Sequence, residues 1–194
     1  MTVKNKSESI FEEFCNSNNI SWDKIPEGAE STPDYRIFLN SQIIFVEVKQ
    51  IDKDAAFNTA NGISSRTVGS HIRKKIEKSR KQAQAGSRID APSIMLVFNN
   101  LDSFQLFGTE EHDFISAMYG ERTVVLRDRQ VSDSYHGRNA SFHIDKNTSF
   151  SAVGLLRQSQ ERATVRLYEN VFAKIPLNFA SLPNCMEVVR VEVL

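Results

Sequence analysis

The apolar positions change period several times along this 194-residue chain, and each change marks an element. Over residues 7 to about 16, Ile10, Phe11 and Phe14 recur at helical spacing with Glu8, Glu12 and Glu13 around them. The segment reads as an amphipathic helix, capped by Ser7 and ended by Asn16-Ser17-Asn18-Asn19. After a polar connection with Pro26, Gly28 and Pro33, Tyr35-Arg36-Ile37-Phe38-Leu39 nearly alternates, Asn40-Ser41 is a two-residue turn signal, and residues 42–49 are rich in β-branched and aromatic types. That pattern predicts an antiparallel hairpin. A second loop over residues 51–65 leads to a strongly charged helix over about 68–85, with Val68, Ile72, Ile76 and Ala83 on its buried stripe and Gly86 as its stop.

Ser93-Ile94-Met95-Leu96-Val97-Phe98, bounded by Pro92 and Asn99-Asn100, is a continuous apolar run and predicts a strand buried on both faces, central in its sheet. Beyond it the pattern predicts a helix around 110–118, a strand at 123–126, a polar flexible loop or lid over 127–148 and a strand pair at 150–156 and 163–168. A helix or loop through Pro176 and a last strand over 186–194 complete the chain. No internal repeat or low-complexity segment interrupts it. The expected class is α/β, in one domain over residues 1–194.

Composition narrows the function classes. Hydrophobic residues make up 40% and charged residues 25%, which suits one globular core. The 24 Lys and Arg balance 24 Asp and Glu, so affinity for a polyanion has to be local. Cys15 and Cys185 form neither a CxxC pair nor a zinc pattern and read as small buried hydrophobes in a reducing, cytoplasmic setting. No stretch approaches the roughly 18 apolar residues of a membrane helix, and the amino terminus lacks a signal-peptide pattern.

The chemistry concentrates on the hairpin. Pairing around Asn40-Ser41 brings Asp34, at the start of the first strand, toward Glu47-Val48-Lys49, at the end of the second. The side-chain period of two puts Glu47 and Lys49 on one face and Val46 and Val48 on the other. Two carboxylates with an adjacent lysine suit a hard divalent cation that shares its ligands with a substrate phosphate.

A helix, a hairpin carrying Pro33-Asp34 and then Glu47-Val48-Lys49, a further helix and a buried strand together resemble the PD-(D/E)xK nuclease superfamily over about residues 7–98. The resemblance implies a restriction-endonuclease-like three-layer αβα core with a mixed central sheet, and additions over about 99–194. It implies Asp34 and Glu47 as metal ligands, Lys49 as the group that positions water or stabilises charge, and Mg²⁺ as cofactor with Mn²⁺ as a substitute. A first-helix acid is implied as a further ligand, Glu8 ahead of Glu12, and an auxiliary glutamine on the later helix, Gln82 or Gln84. The expected activity is phosphodiester hydrolysis, in DNA first with RNA open. The alternative is a non-catalytic nucleic-acid-binding or scaffolding module of the same fold.

Arg73, Lys74, Lys75, Lys78, Arg80 and Lys81 crowd the helix that follows this strand. Such a run is either a solvated face or, beside a phosphate-cleaving site, a backbone-binding surface. Arg66 and His71 are further phosphate candidates. His112, His136 and His143 show no mutual spacing suited to a metal. Arg127, Arg129 and Arg138 serve nucleic acid or loop solvation equally well, and Trp22 reads as a packing anchor. Size alone leaves room for a homodimer or a partner protein that supplies target recognition.

Overall fold

The structure is a computed structural model and describes residues 5–26, 28, 31–40, 42–52, 67–159 and 162–191. Helix α1 (Lys6–Ser17) leads into β1 (Ser21–Lys24), β2 (Tyr35–Leu39) and β3 (Gln42–Ile51). Helices α2 (Ser70–Lys78) and α3 (Arg80–Ser87) precede β4 (Ser93–Asn99), and α4 (Glu111–Tyr119) precedes β5 (Glu121–Arg127) and β6 (Gln130–Arg138). Strands β7 (Ala152–Gln158), β8 (Ala163–Glu169) and β9 (Met186–Val189) end the described chain, with a single 3-10 turn at Phe179–Ser181 before β9.

Seven strands form one mixed sheet in the order β1-β2-β3-β4-β7-β8-β9, while β5 and β6 pair apart as a ribbon. Strands β3, β4 and β7 are parallel. Parallel neighbours need crossovers: α2 and α3 make the first, and α4 with the ribbon lies on the second. Every residue of β4 is buried, as its apolar run predicts for the middle strand.

Two cores flank the sheet. On one side Ile10, Phe11, Phe14 and Cys15 of α1 pack on Tyr35, Ile37, Val46, Val48, Leu96 and Phe98. On the other, Ile72 and Ile76 of α2, Ala83 of α3 and Phe114 and Met118 of α4 cover Met95, Val97, Val153 and Leu155. The architecture is therefore α/β, with helices on both faces of a mixed sheet.

Several local expectations change. Ser7 does not cap α1: Asn5 holds that position, and Ser7 is buried with its N–H donating to Gln50 Oε1 at 3.0 Å. The single helix predicted over 68–85 is two, broken at Ser79 (φ −97°, ψ 7°), although the inward stripe runs on through Ile72, Ile76, Ser79, Ala83 and Gly86. Gly86 lies within α3 rather than ending it. A Cβ there would meet Ser93 Oγ at 2.2 Å and Ala91 O at 2.6 Å, so the glycine lets α3 lie on the start of β4. Trp22 falls in β1, packs edge-on against Tyr35 and donates to Asn16 Oδ1 at 2.9 Å, as a packing anchor should. The loop or lid expected over 127–148 contains β6, paired to β5 across an Asp128-Arg129 turn with φ of 50° and 65°. Strand β6 is mostly solvent-facing, so it lacks the apolar alternation that burial imposes, and the turn lacks the usual glycine.

Gly69 fixes how α2 meets α4. Its φ is +71°, and a Cβ would stand 2.7 Å from Asp113 O and 2.8 Å from Ala117 N. Its N–H donates to Asp113 Oδ1 at 2.8 Å. Gly69→Ala combines a left-handed backbone with overpacking and is expected to cost roughly 2–4 kcal/mol, read as a lower midpoint in urea unfolding.

Candidate active site

Tyr35 aligns with Val46 across the hairpin, so Asp34 comes level with Glu47. The Val48 N–H donates to Asp34 Oδ2 at 2.8 Å, a tie between the Pro-Asp and Glu-Val-Lys segments. In the parallel register Glu47 aligns with Met95 and Lys49 with Val97. Both polar side chains therefore lie on the face covered by α2, α3 and α4, while Val46 and Val48 pack under α1. The one-face arrangement predicted for Glu47 and Lys49 is what the sheet produces.

Glu47 is 3% exposed. One of its oxygens, Oε1, pairs with Lys49 Nζ; the other, Oε2, is buried and has no hydrogen-bond partner among the described residues. Burial, and then the Asp34 charge, push the Glu47 carboxyl up to about 7, outweighing Lys49 and the Asp34 backbone N–H. Burial also raises Asp34, with Glu8 adding to it and the Val48 N–H and Lys49 acting the other way. Two buried acids whose carboxyls are both raised, one of them by the charge of the other, gain when a positive charge enters.

Glu8 belongs to this field, since its charge bears on Asp34. Its carboxylate is held by Lys24 Nζ at 2.7 Å, a contact that raises the Lys24 pKa. Glu12 instead accepts the Tyr35 hydroxyl at 2.8 Å, a structural role that leaves Glu8 the better placed of the two. Sequence reasoning passed over Gln50. It accepts Ser7 N–H and donates to Asp52 Oδ1 at 2.7 Å, which Asn100 Nδ2 also reaches at 2.8 Å. Gln50 thus ties the first turn of α1, and with it Glu8, to the strand that carries Glu47. Its place directly after Lys49 was the signal available.

The basic helix divides. Lys75 is partly buried and its pKa is lowered, first by burial and then by Lys78 and Lys49, with Asp52 opposing; it therefore stands within the field of Lys49. Lys74, Lys78 and Lys81 are exposed. Arg73 is spent elsewhere: Nε donates to Asn139 O at 2.9 Å, and its two terminal nitrogens to Val68 O at 2.8 Å and Ser116 O at 3.1 Å. These bonds bind α2 to α4 and the foot of the ribbon, so the guanidinium has a structural role. Gln82 is partly buried with its Oε1 unpartnered, whereas Gln84 is exposed. His71 is buried, and Arg66 lies outside the described residues.

His136 Nδ1 pairs with the Gly120 carbonyl at 2.9 Å, and His143 sits in a bridge with Lys146. His112 is closer to acids than its sequence spacing indicated. Glu110, His112 and Asp113 each bring a ligand atom within 4.8 Å of the others. However, Glu110 and Asp113 are the capping box of α4, and Asp113 also takes the Gly69 N–H. Helix and loop backbone already use these carboxylates.

Set against known proteins, the chain matches no family model, no curated protein and no solved structure. The chemistry of the donor set is what speaks to a metal. Asp34, Glu47 and Glu8 offer oxygens of the type a hard divalent cation takes, one of them buried and unpartnered, although, unlike those of Glu110, His112 and Asp113, their ligand atoms are not all drawn within 4.8 Å of one another.

Two outcomes follow. Glu47 has a folded-state pKa raised from 4.5 to about 7, so between these values the folded state holds a proton that the unfolded state has lost. Stability falls as pH rises through that window, by of order 3 kcal/mol in all. Glu47→Gln removes the cost, so in metal-free buffer at pH 8 its Tm should exceed wild type by roughly 5 °C or more, with the gain vanishing near pH 4. Gln50→Leu should speed amide exchange at Ser7 about tenfold or more, leaving the second half of α1 unchanged in a hydrogen-exchange measurement.

Proposed function

We propose that the protein is a Mg²⁺-dependent nuclease of restriction-endonuclease-like fold that hydrolyses phosphodiester bonds, with DNA as substrate. The observation that carries this is the buried, unpartnered Oε2 of Glu47 beside Asp34, with Lys49 on the same strand face. A buried carboxylate oxygen without a donor is costly unless a cation or proton meets it. The order of the elements, with α1 on one face and α2 and α3 crossing from β3 to β4, supports the same reading.

In this reading Asp34 and Glu47 would hold the metal, with Glu8, which here pairs with Lys24, as the further ligand. Bound there, Mg²⁺ supplies a polarised phosphate and a more acidic water. The chain's own residues do the rest. Val48 N–H fixes the Asp34 carboxylate, so its free oxygen keeps one orientation. Lys49, on the same strand face as Glu47, would place a positive charge where the phosphorane accumulates negative charge. Lys75, already in the field of Lys49, adds a second, and Lys74, Lys78 and Lys81 continue a backbone-binding face along α2 and α3.

The test is cleavage of supercoiled plasmid, linear duplex, single strands, branched junctions and RNA with Mg²⁺ or Mn²⁺. Wild type should cut DNA only with metal. Asp34→Asn and Lys49→Ala should each lose about 10²–10³-fold in rate, and Glu8→Gln less. RNA cut in preference to DNA would change the substrate. Nucleic acid and metal bound with no cutting in any sample would replace the nuclease by a non-catalytic binding module.

A further inference from the structure

The ribbon of β5 and β6 is an excursion from the second crossover that the sheet does not absorb. It exposes large apolar side chains: Val124 is 46%, Leu126 64%, Val131 68% and Tyr135 49% accessible. The register sets Val124 opposite Ser134 and Leu126 opposite Val131, so Val124, Leu126 and Val131 share one face. A two-stranded hairpin is marginal in water by itself and gains stability from a third strand.

The two edges of the ribbon differ. Both register shifts add their extra residue to β6: Gly137 lies between the partners of Glu121 and Arg122, and Ser132 between those of Val125 and Leu126. Bulges bend a strand and spoil its edge for further pairing. Strand β5 carries no extra residue and runs regularly from Glu121 to Arg127. The Val125 carbonyl faces β6, where it accepts from Ser132 Oγ at 3.2 Å. By strand alternation the N–H and C=O of Val124 point to the open edge.

We infer that β5 is an interface between two copies of this chain, which pair antiparallel through that edge about a twofold axis at Val124. Centred there, Glu121 of each copy stands opposite Arg127 of the other, and Thr123 opposite Val125. The sequence of the strand is thus complementary to itself in charge, as an isologous contact requires. Glu121 is steadied at the foot of the ribbon by Asn139 Nδ2 at 2.8 Å. A four-stranded sheet across the axis continues the apolar face of Val124, Leu126 and Val131 from one copy into the other. Nucleic acid is the poorer occupant, because Glu121, Asp128 and Asp133 lie among the ribbon's arginines.

The pairing does not depend on the nuclease reading, and its test needs no activity. Native mass spectrometry and light scattering on the full chain, from about 1 to 100 µM, should find a dimer. Val124→Asp, at an exposed position on the axis, should give a monomer with unchanged circular dichroism. Arg127→Glu should weaken the dimer about tenfold or more, and adding Glu121→Arg should restore it. A wild-type monomer at the highest concentration, or a Val124→Asp protein that still dimerises, overturns the interface. A loss in Arg127→Glu that Glu121→Arg does not recover overturns the register. Ribbon variants that lose DNA binding while wild type is monomeric would make the ribbon a nucleic-acid arm instead.

Discussion

The parallel pairing of β3 with β4 is the constraint on which the rest depends. Because β4 is buried along its whole length, β3 is held in one register, and Val46 and Val48 must pack under α1. The period of two then leaves Glu47 no choice but the opposite face, beneath the second helical layer. A carboxylate enters the interior not because the interior favours it but because its neighbours in sequence do. The folding of the sheet carries the charge inward, and the raised pKa of Glu47 measures the cost.

Around that constraint the site is built by tethers of different kinds. A backbone N–H orients Asp34, a glutamine links α1 to β3, and a lysine holds Glu8. Arg73 and Gly69 act further out: they fix α2 against α4 and so fix where Lys75 stands relative to Lys49. The helix is therefore positioned by one of its own basic residues, which leaves the others free to face outward.

Much of this was legible in the chain. The hairpin, the shared face of Glu47 and Lys49 and the central strand follow from patterns that burial imposes, and burial is what hydrophobic periodicity records. What escaped is what burial does not write. The first ribbon strand was legible, but β6 is solvent-facing and follows a turn without glycine, so its residues look like a polar loop. Arg73 carries the same letter whether it meets a phosphate or three carbonyls, and only tertiary geometry distinguishes them. The Ser7 cap failed because Gln50, forty-three residues away, takes the N–H and draws the serine inward.

The way the ribbon leaves the body has a consequence for how the chain folds and varies. Directly after it, Ser141 and Phe142 donate their N–H groups to Ala117 and Met118, the carbonyls near the end of the helix from which the ribbon departed. Departure and return are thus adjacent, and the second crossover closes over the ribbon as if over a short loop. The body's loop-closure entropy is nearly indifferent to how many residues the excursion contains. The ribbon can form from local contacts on its own timescale, and its length and tip can change without moving a strand of the central sheet. In this chain the surface most exposed to change is mechanically uncoupled from the strands that carry the buried charge.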